Sequence, residues 1–224
     1  MAPGLRQMQR DIFAQGEGAA WLARNQSLLG KRDPVMDALA HWRIDPKSVL
    51  DVGCANGWRV ERLIDRYKCK AFGIDPAVPE PPISRLEEPS FKHLRHGHAG
   101  ALYHYSNGQF DLVIYGFCLY LCDPSDYPAI VKEGDRVLAD GGHIVIHDFA
   151  VLDDEIPWRT PYKHKDGVYS HHFPFEALWL ASPQYKKNAF LIPAGWHEFH
   201  DHVVCLRKDV STAFEERSTH SCGG

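Results

Sequence analysis

The chain has 224 residues, of which 44% are hydrophobic, and a formal net charge of −4. That length can bury one sizeable α/β core, while the charge balance and the lack of a dense Lys/Arg run argue against nucleic acid as a partner. Apolar runs are short and strand-like, and Met1 to Arg10 has no apolar signal core, so no membrane association is expected and a cytoplasmic location is.

In chain order, Gln7 to Arg24 carries helical spacing with Phe13, Ala20 and Trp21 as anchors, placed to lie across a ligand cleft. Asp33-Pro34 opens a second helix, Val35 to Trp42, with the acid as N-cap and the proline as first helical residue. Residues 48–52, 71–75, 91–94, 111–116 and 142–147 are the β-rich runs, and 57–67 and 127–138 the helical stretches between them. Ala77 to Pro89 is proline-rich and predicts an irregular loop. A polar, aromatic, histidine-rich insertion covers 153–175, followed by a helical run from Pro174 to Ala181. Lys187 to Ile192 and His202 to Arg207 read as a hairpin. The alternation predicts an α/β fold: a doubly wound, mostly parallel seven-stranded Rossmann-like sheet with an antiparallel C-terminal hairpin. One domain is expected over 1–210, divided into a lid (1–47), a cofactor-binding core (48–148) and an acceptor-covering insertion (149–185), with a flexible tail over 211–224.

The run Asp51-Val52-Gly53-Cys54-Ala55-Asn56-Gly57 joins the first strand to a helix, and Asp75 ends the second strand. Gly53 and Gly57 allow a tight turn and close backbone approach, the helix start offers free N–H groups, and a strand-tip carboxylate can accept both hydroxyls of a ribose. A nucleoside cofactor is the expected guest. A dinucleotide fingerprint needs a third glycine where this chain has Trp58, which argues against NAD or FAD.

Asp51-x-Gly53-x-Ala55-x-Gly57 resembles motif I of the class I S-adenosylmethionine-dependent methyltransferases, with Ala55 in place of the commoner middle glycine. Phe110 to Gly116 is similar to the family's fourth-strand motif, and Val137 to Asp148 to its fifth-strand segment with Asp140 in the usual proline position. The resemblance implies S-adenosylmethionine as cofactor, held by Asp51, Gly53, Cys54, Ala55, Asn56, Gly57, Asp75 and Pro76. It also implies contacts from Tyr115 and Phe117 beside the methionine moiety, and from Trp21 and Arg24 of the lid, with Arg24 reaching the methionyl carboxylate. The chain departs from the family at His98, where many members place an acid against the adenine amino group; a backbone N–H of Ala99 can still reach adenine. The segment Phe13 to Gly18 with Trp21, Arg24 and Asn25 resembles faintly the start of methylases associated with bacterial surface sugars.

A methyl sulfonium needs an aligned acceptor and, for a hydroxyl or amine, a base. His147 at a strand tip is the first candidate, with His164 and Asp148 as rivals. Tyr120, Arg159, Tyr162, Tyr169 and His171 suit a polar small-molecule acceptor, a sugar or sugar nucleotide being the suggested class, methylated on O or N. The alternatives are an NAD-dependent oxidoreductase, disfavoured by Trp58, and a non-catalytic S-adenosylmethionine-binding regulatory protein, hinted at by His98. His171-His172 and His197-x-x-His200-x-His202 lack supporting Cys or carboxylate spacing, so no metal is expected. The six cysteines show no paired spacing and read as reduced thiols. The oligomeric state, monomer or dimer, is left open.

Overall fold

Five strands lie side by side as a parallel sheet in the computed structural model, which describes residues 7–79, 92–149, 161–192 and 201–211. They are β1 (Ser48–Val52), β2 (Lys70–Asp75), β3 (Leu94–His96), β4 (Phe110–Gly116) and β5 (Leu138–Phe149). A two-stranded sheet, β6 (Tyr162–Lys165) with β7 (Val168–Ser170), stands apart, and β8 (Tyr185–Leu191) and β9 (Asp201–Lys208) complete the main sheet. Its order is β3-β2-β1-β4-β5-β9-β8, with β9 antiparallel to both neighbours. Connections run outward in both directions from β1 and β4, so a crevice opens beyond the carboxyl ends of that central pair.

The central strands are apolar on both sides because helices cover both faces. Val49, Leu112, Ile114, Val145 and Val203 pack against α3 (Pro34–His41) and α4 (Trp58–Tyr67). Leu50, Val52, Val113, Tyr115, Ile144 and Ile146 face α5 (Tyr127–Val137) and α6 (Ala177–Leu180). In α4 the apolar residues Val60, Leu63, Ile64 and Tyr67 fall on one stripe, and the helix stops at Lys68, whose φ of 53° is left-handed and whose N–H bonds Ile64 O at 2.9 Å.

The expected sheet and hairpin are present, with three local differences. The helix read over Gln7 to Arg24 is broken into α1 (Gln9–Ile12), a wider π-type turn over Phe13–Glu17 and α2 (Gly18–Asn25), because Gly16 sits at φ 125°. The third strand runs over Leu94–His96 where 91–94 was expected; residue 91 lies outside the described residues, and just before the strand the His93 imidazole turns to bond Ala71 O at 3.0 Å. Around Pro174, bonds from Ala177 N–H to Pro174 O and Leu178 N–H to Phe175 O tighten the chain into turns, leaving only Ala177–Leu180 helical. The tail over 212–224 and most of the proline-rich loop lie outside the described residues. The cysteines at 54, 69, 118, 122 and 205 are free thiols, and among the described residues no helix is long and apolar enough to cross a membrane.

Helix α5 meets the sheet through Gly134, where an added Cβ would lie 2.4 Å from the Tyr115 hydroxyl oxygen. That hydroxyl is fully buried and has no hydrogen-bond partner among the described residues. Gly134→Ala is therefore expected to destabilise by about 1–3 kcal/mol despite better helix propensity. Adding Tyr115→Phe, which removes the orphaned oxygen, should recover most of the loss; urea unfolding of the two single variants and the double variant measures this.

Candidate active site

The turn after β1 is built for close approach. Gly53, Ala55 and Gly57 have φ of 76°, 53° and 84°, so the alanine occupies a left-handed conformation that a glycine would adopt without strain. A Cβ on Gly53 would lie 2.5 Å from Cys118 Cβ, and one on Gly57 would lie 2.8 Å from Leu94. Asp75 fixes this turn from the neighbouring strand: Oδ2 accepts the Ala55 N–H at 2.9 Å and Oδ1 the Ala77 N–H at 2.6 Å. Each oxygen retains a lone pair for a ligand hydroxyl. Burial pushes the Asp75 pKa up, against the pull of the two N–H bonds.

A cavity of about 540 Å³ opens over this turn, within the size range of small-molecule sites. Its floor is Gly53, Ala55, Asp75 and Pro76. On the β3 side it meets His98, Ala99, Asp126 and Ile130; on the β5 side, Phe117, Tyr120, His147 and Phe149. The lid supplies Phe13, Gly18 and Trp21, and the stretch from Leu28 to Arg32 adds further wall. Thus of the expected cofactor residues, Trp21, Gly53, Ala55, Asp75, Pro76, His98, Ala99 and Phe117 line one chamber. Asp51, Cys54, Asn56 and Gly57 shape the turn from outside it: Cys54 is packed against Gly73, and the Asn56 side chain accepts the Trp58 N–H. Tyr115 lies in the core against Trp179.

Arg24 is 56% exposed and bonds Glu17 at 2.6 Å, so it ties the lid instead of lining the chamber. Glu17 is buried and also takes the Lys165 ammonium from the small hairpin. Burial alone would raise its pKa; the two cations outweigh that and hold it below the ordinary value. A second tie is Gln9, fully buried: its N–H bonds Asp123 Oδ2 at 2.6 Å, its Nε2 donates to Leu121 O at 2.9 Å, and its Oε1 accepts the Tyr169 N–H.

The candidate bases separate clearly. His147 is buried in the chamber wall, with Nε2 2.7 Å from Asp201 Oδ2 and the Phe117 ring perpendicular to it at 4.5 Å. Burial lowers its pKa, partly offset by Asp201. Asp148, the next residue of the strand, is fully buried away from the chamber and accepts N–H bonds from Leu119, Tyr120 and Phe149 at 3.1, 3.2 and 2.9 Å. Its pKa is pushed up to about 7 by burial; it fixes the loop that carries Phe117 and Tyr120. His164 and Tyr162 lie on exposed β6, edge to face at 4.9 Å. Tyr169 and His171 engage Gln9 and the Tyr120 carbonyl through their backbone N–H groups and are not in the chamber wall. Arg159 lies outside the described residues.

Sequence reasoning missed a buried ion triad in the chamber wall, where Arg59 is a lining residue. Arg59 is bonded through Nε to both oxygens of Asp33 at 3.2 Å and through Nη1 to Asp51 at 2.9 Å. Its side chain is 7% exposed, and a Cβ on Gly116 would lie 2.5 Å from Nη1, so glycine there admits the guanidinium. Burial outweighs the attraction of Arg59 and raises Asp51 to about 6. Arg59→Met would leave two buried carboxylates without their cation, and a stability loss of about 3–5 kcal/mol is expected in urea unfolding.

Residues 24–198, more than half of the chain, match the family model described as Methyltransferase domain. Comparison with curated proteins finds no match. Among solved structures, the 1,6-didemethyltoxoflavin-N1-methyltransferase of Burkholderia thailandensis, with 1,6-didemethyltoxoflavin and S-adenosylhomocysteine bound, is similar with a TM-score of 0.66 at 17% identity over 93% of both chains. The S-adenosylmethionine-dependent methyltransferase of Methanosarcina mazei gives 0.54 at 16% identity, over 80% of this chain and 98% of that one. That of Mesorhizobium loti gives 0.54 at 15%, over 77% and 96%. The turn that excludes a Cβ at Gly53 and the Asp75 carboxylate fit the nucleoside end of their cofactor. The chain therefore belongs to the class I S-adenosylmethionine-dependent methyltransferase family, with S-adenosylmethionine as its cofactor.

Proposed function

We propose that this enzyme methylates an O or N atom of a small molecule with a flat, unsaturated body, and that His147, backed by Asp201, removes the acceptor's proton. The observation that carries this reading is the His147–Asp201 contact of 2.7 Å within an aromatic wall. Phe117, Tyr120 and Phe149 pack mutually edge to face, with centroids 5.0–5.9 Å apart. Such a wall offers ring faces and edges to a planar guest. The small-molecule acceptor of the Burkholderia enzyme is in keeping with this class. A sugar acceptor has less support, because Tyr162 and His164 stand in the exposed hairpin and Phe13 and Trp21 form an apolar roof. In this reading the described part of 1–47 serves as lid, 48–148 as cofactor core and the described part of 149–185 as a brace that holds the lid.

S-adenosylmethionine supplies an electrophilic methyl group. His147 donates its Nε2–H to Asp201, which assigns the tautomer and leaves Nδ1, itself buried at the chamber wall, as the ring atom that takes the proton. Proton uptake makes an imidazolium that the Asp201 carboxylate stabilises in a water-poor setting. Burial keeps the ring neutral until the pH falls below the ordinary histidine value, so the base form persists through neutral pH.

Three outcomes are expected. Asp75→Ala weakens S-adenosylhomocysteine binding by roughly tenfold or more in calorimetry, as loss of a charge-assisted hydrogen bond requires. With an acceptor found by screening hydroxy- and amino-heteroaromatics for S-adenosylhomocysteine release, His147→Asn lowers single-turnover methylation by roughly 10²–10⁴ while cofactor affinity holds. The wild-type pH profile stays level through neutral pH and falls only below about 6.5, as the imidazole protonates. Undiminished methylation by His147→Asn would remove it as base.

A further inference from the structure

We infer that Asp126 reads the adenine of the cofactor through its 6-amino group, with Arg10 of the lid holding the carboxylate in place. The cavity continues past Asp75 to the turn after β3, where His98 and Ala99 form a wall. Adenine presents an amino donor beside ring-nitrogen acceptors, so a pocket that selects it needs an acceptor opposite the amino group. Residues 97–101 contain no carboxylate, and the His98 Nδ1 already accepts the Gly100 N–H at 3.3 Å.

The missing acceptor arrives from the other side of the crevice. Asp126 and Ile130, at and just beyond the start of α5, line the same chamber, and α5 packs onto the turn: a Cβ on Gly100 would lie 3.5 Å from Ala129 Cβ, while Leu102 N–H bonds Glu133 at 2.8 Å. The Asp126 side chain is 10% exposed. Oδ1 takes the Arg10 guanidinium, and Oδ2 receives no hydrogen bond among the described residues, leaving it for a ligand donor. His98 senses both charges, with burial first and Arg10 next in keeping it neutral. Ile130 and Pro76 supply apolar surface for the ring. Since Arg10 belongs to α1, recognition of the base and seating of the lid share one ion pair. The inference rests on the cofactor and is independent of which acceptor is methylated.

Calorimetry with S-adenosylhomocysteine and S-inosylhomocysteine, on wild type, Asp126→Asn and Arg10→Met, tests it. Inosine replaces the amino donor by an oxygen that faces a carboxylate, so wild type should prefer the adenosyl compound by about tenfold or more. Asp126→Asn, whose amide can donate to that oxygen, should bring the ratio within about threefold. Arg10→Met should weaken both compounds and keep the preference. Equal binding of the two by wild type, or an unchanged ratio in Asp126→Asn, would overturn the inference and leave Asp126 as an anchor for the lid. Silence toward both by wild type would overturn it together with the cofactor assignment.

Discussion

The buried guanidinium of Arg59 is the constraint on which the chamber depends. It ties the N-cap of α3 (Asp33) to the carboxyl end of β1 (Asp51) from the first turn of α4. Those three elements meet beside the glycine turn. One cation between two carboxylates leaves a net negative charge out of water, which is tolerable only with tight geometry. The cost is consistent with a site that must hold backbone atoms still, since the turn beside it contains three left-handed positions at alternate residues.

Strand β5 divides its labour by the alternation of its side chains. His147 enters the chamber and Asp148 goes to the opposite face. Both are nearly inaccessible, yet their surroundings differ in kind: a carboxylate partner for the imidazole, and three peptide N–H groups for the acid. The second arrangement sets the positions of Phe117 and Tyr120, so the strand tip supplies the candidate base and the aromatic wall around it at once. Phe117 itself has a φ of 55°, held by its N–H bond to the His147 carbonyl at 2.7 Å.

The mostly parallel sheet with its C-terminal hairpin, the glycine turn and the place of Asp75 at a strand tip were legible because their signals are local: apolar runs of strand length, glycines at fixed offsets, and an acid closing the next strand. The partners that complete the site were not. Asp201 lies 54 residues from His147, and Glu17 lies 148 from Lys165; no spacing rule connects them. Asp33 reads as an ordinary N-cap and nothing in the sequence singles out Arg59; only packing shows them joined. The described part of the insertion, 161–175, is used differently from the expectation. Its aromatic and histidine side chains suggested an acceptor wall, whereas the structure uses its backbone N–H at Tyr169 and the Lys165 ammonium to grip the N-terminal segment.

That grip has a kinetic consequence. The segment over the chamber is fastened by one buried glutamate shared between two cations and one buried glutamine bonded three ways, and it bends at Gly16, where an added Cβ would meet nothing within 4 Å. A spent cofactor that left past this segment would need these ties to part. On that route turnover would include an exit step whose speed answers to ionic strength and to the stiffness of a single glycine, whatever molecule carries the methyl group away.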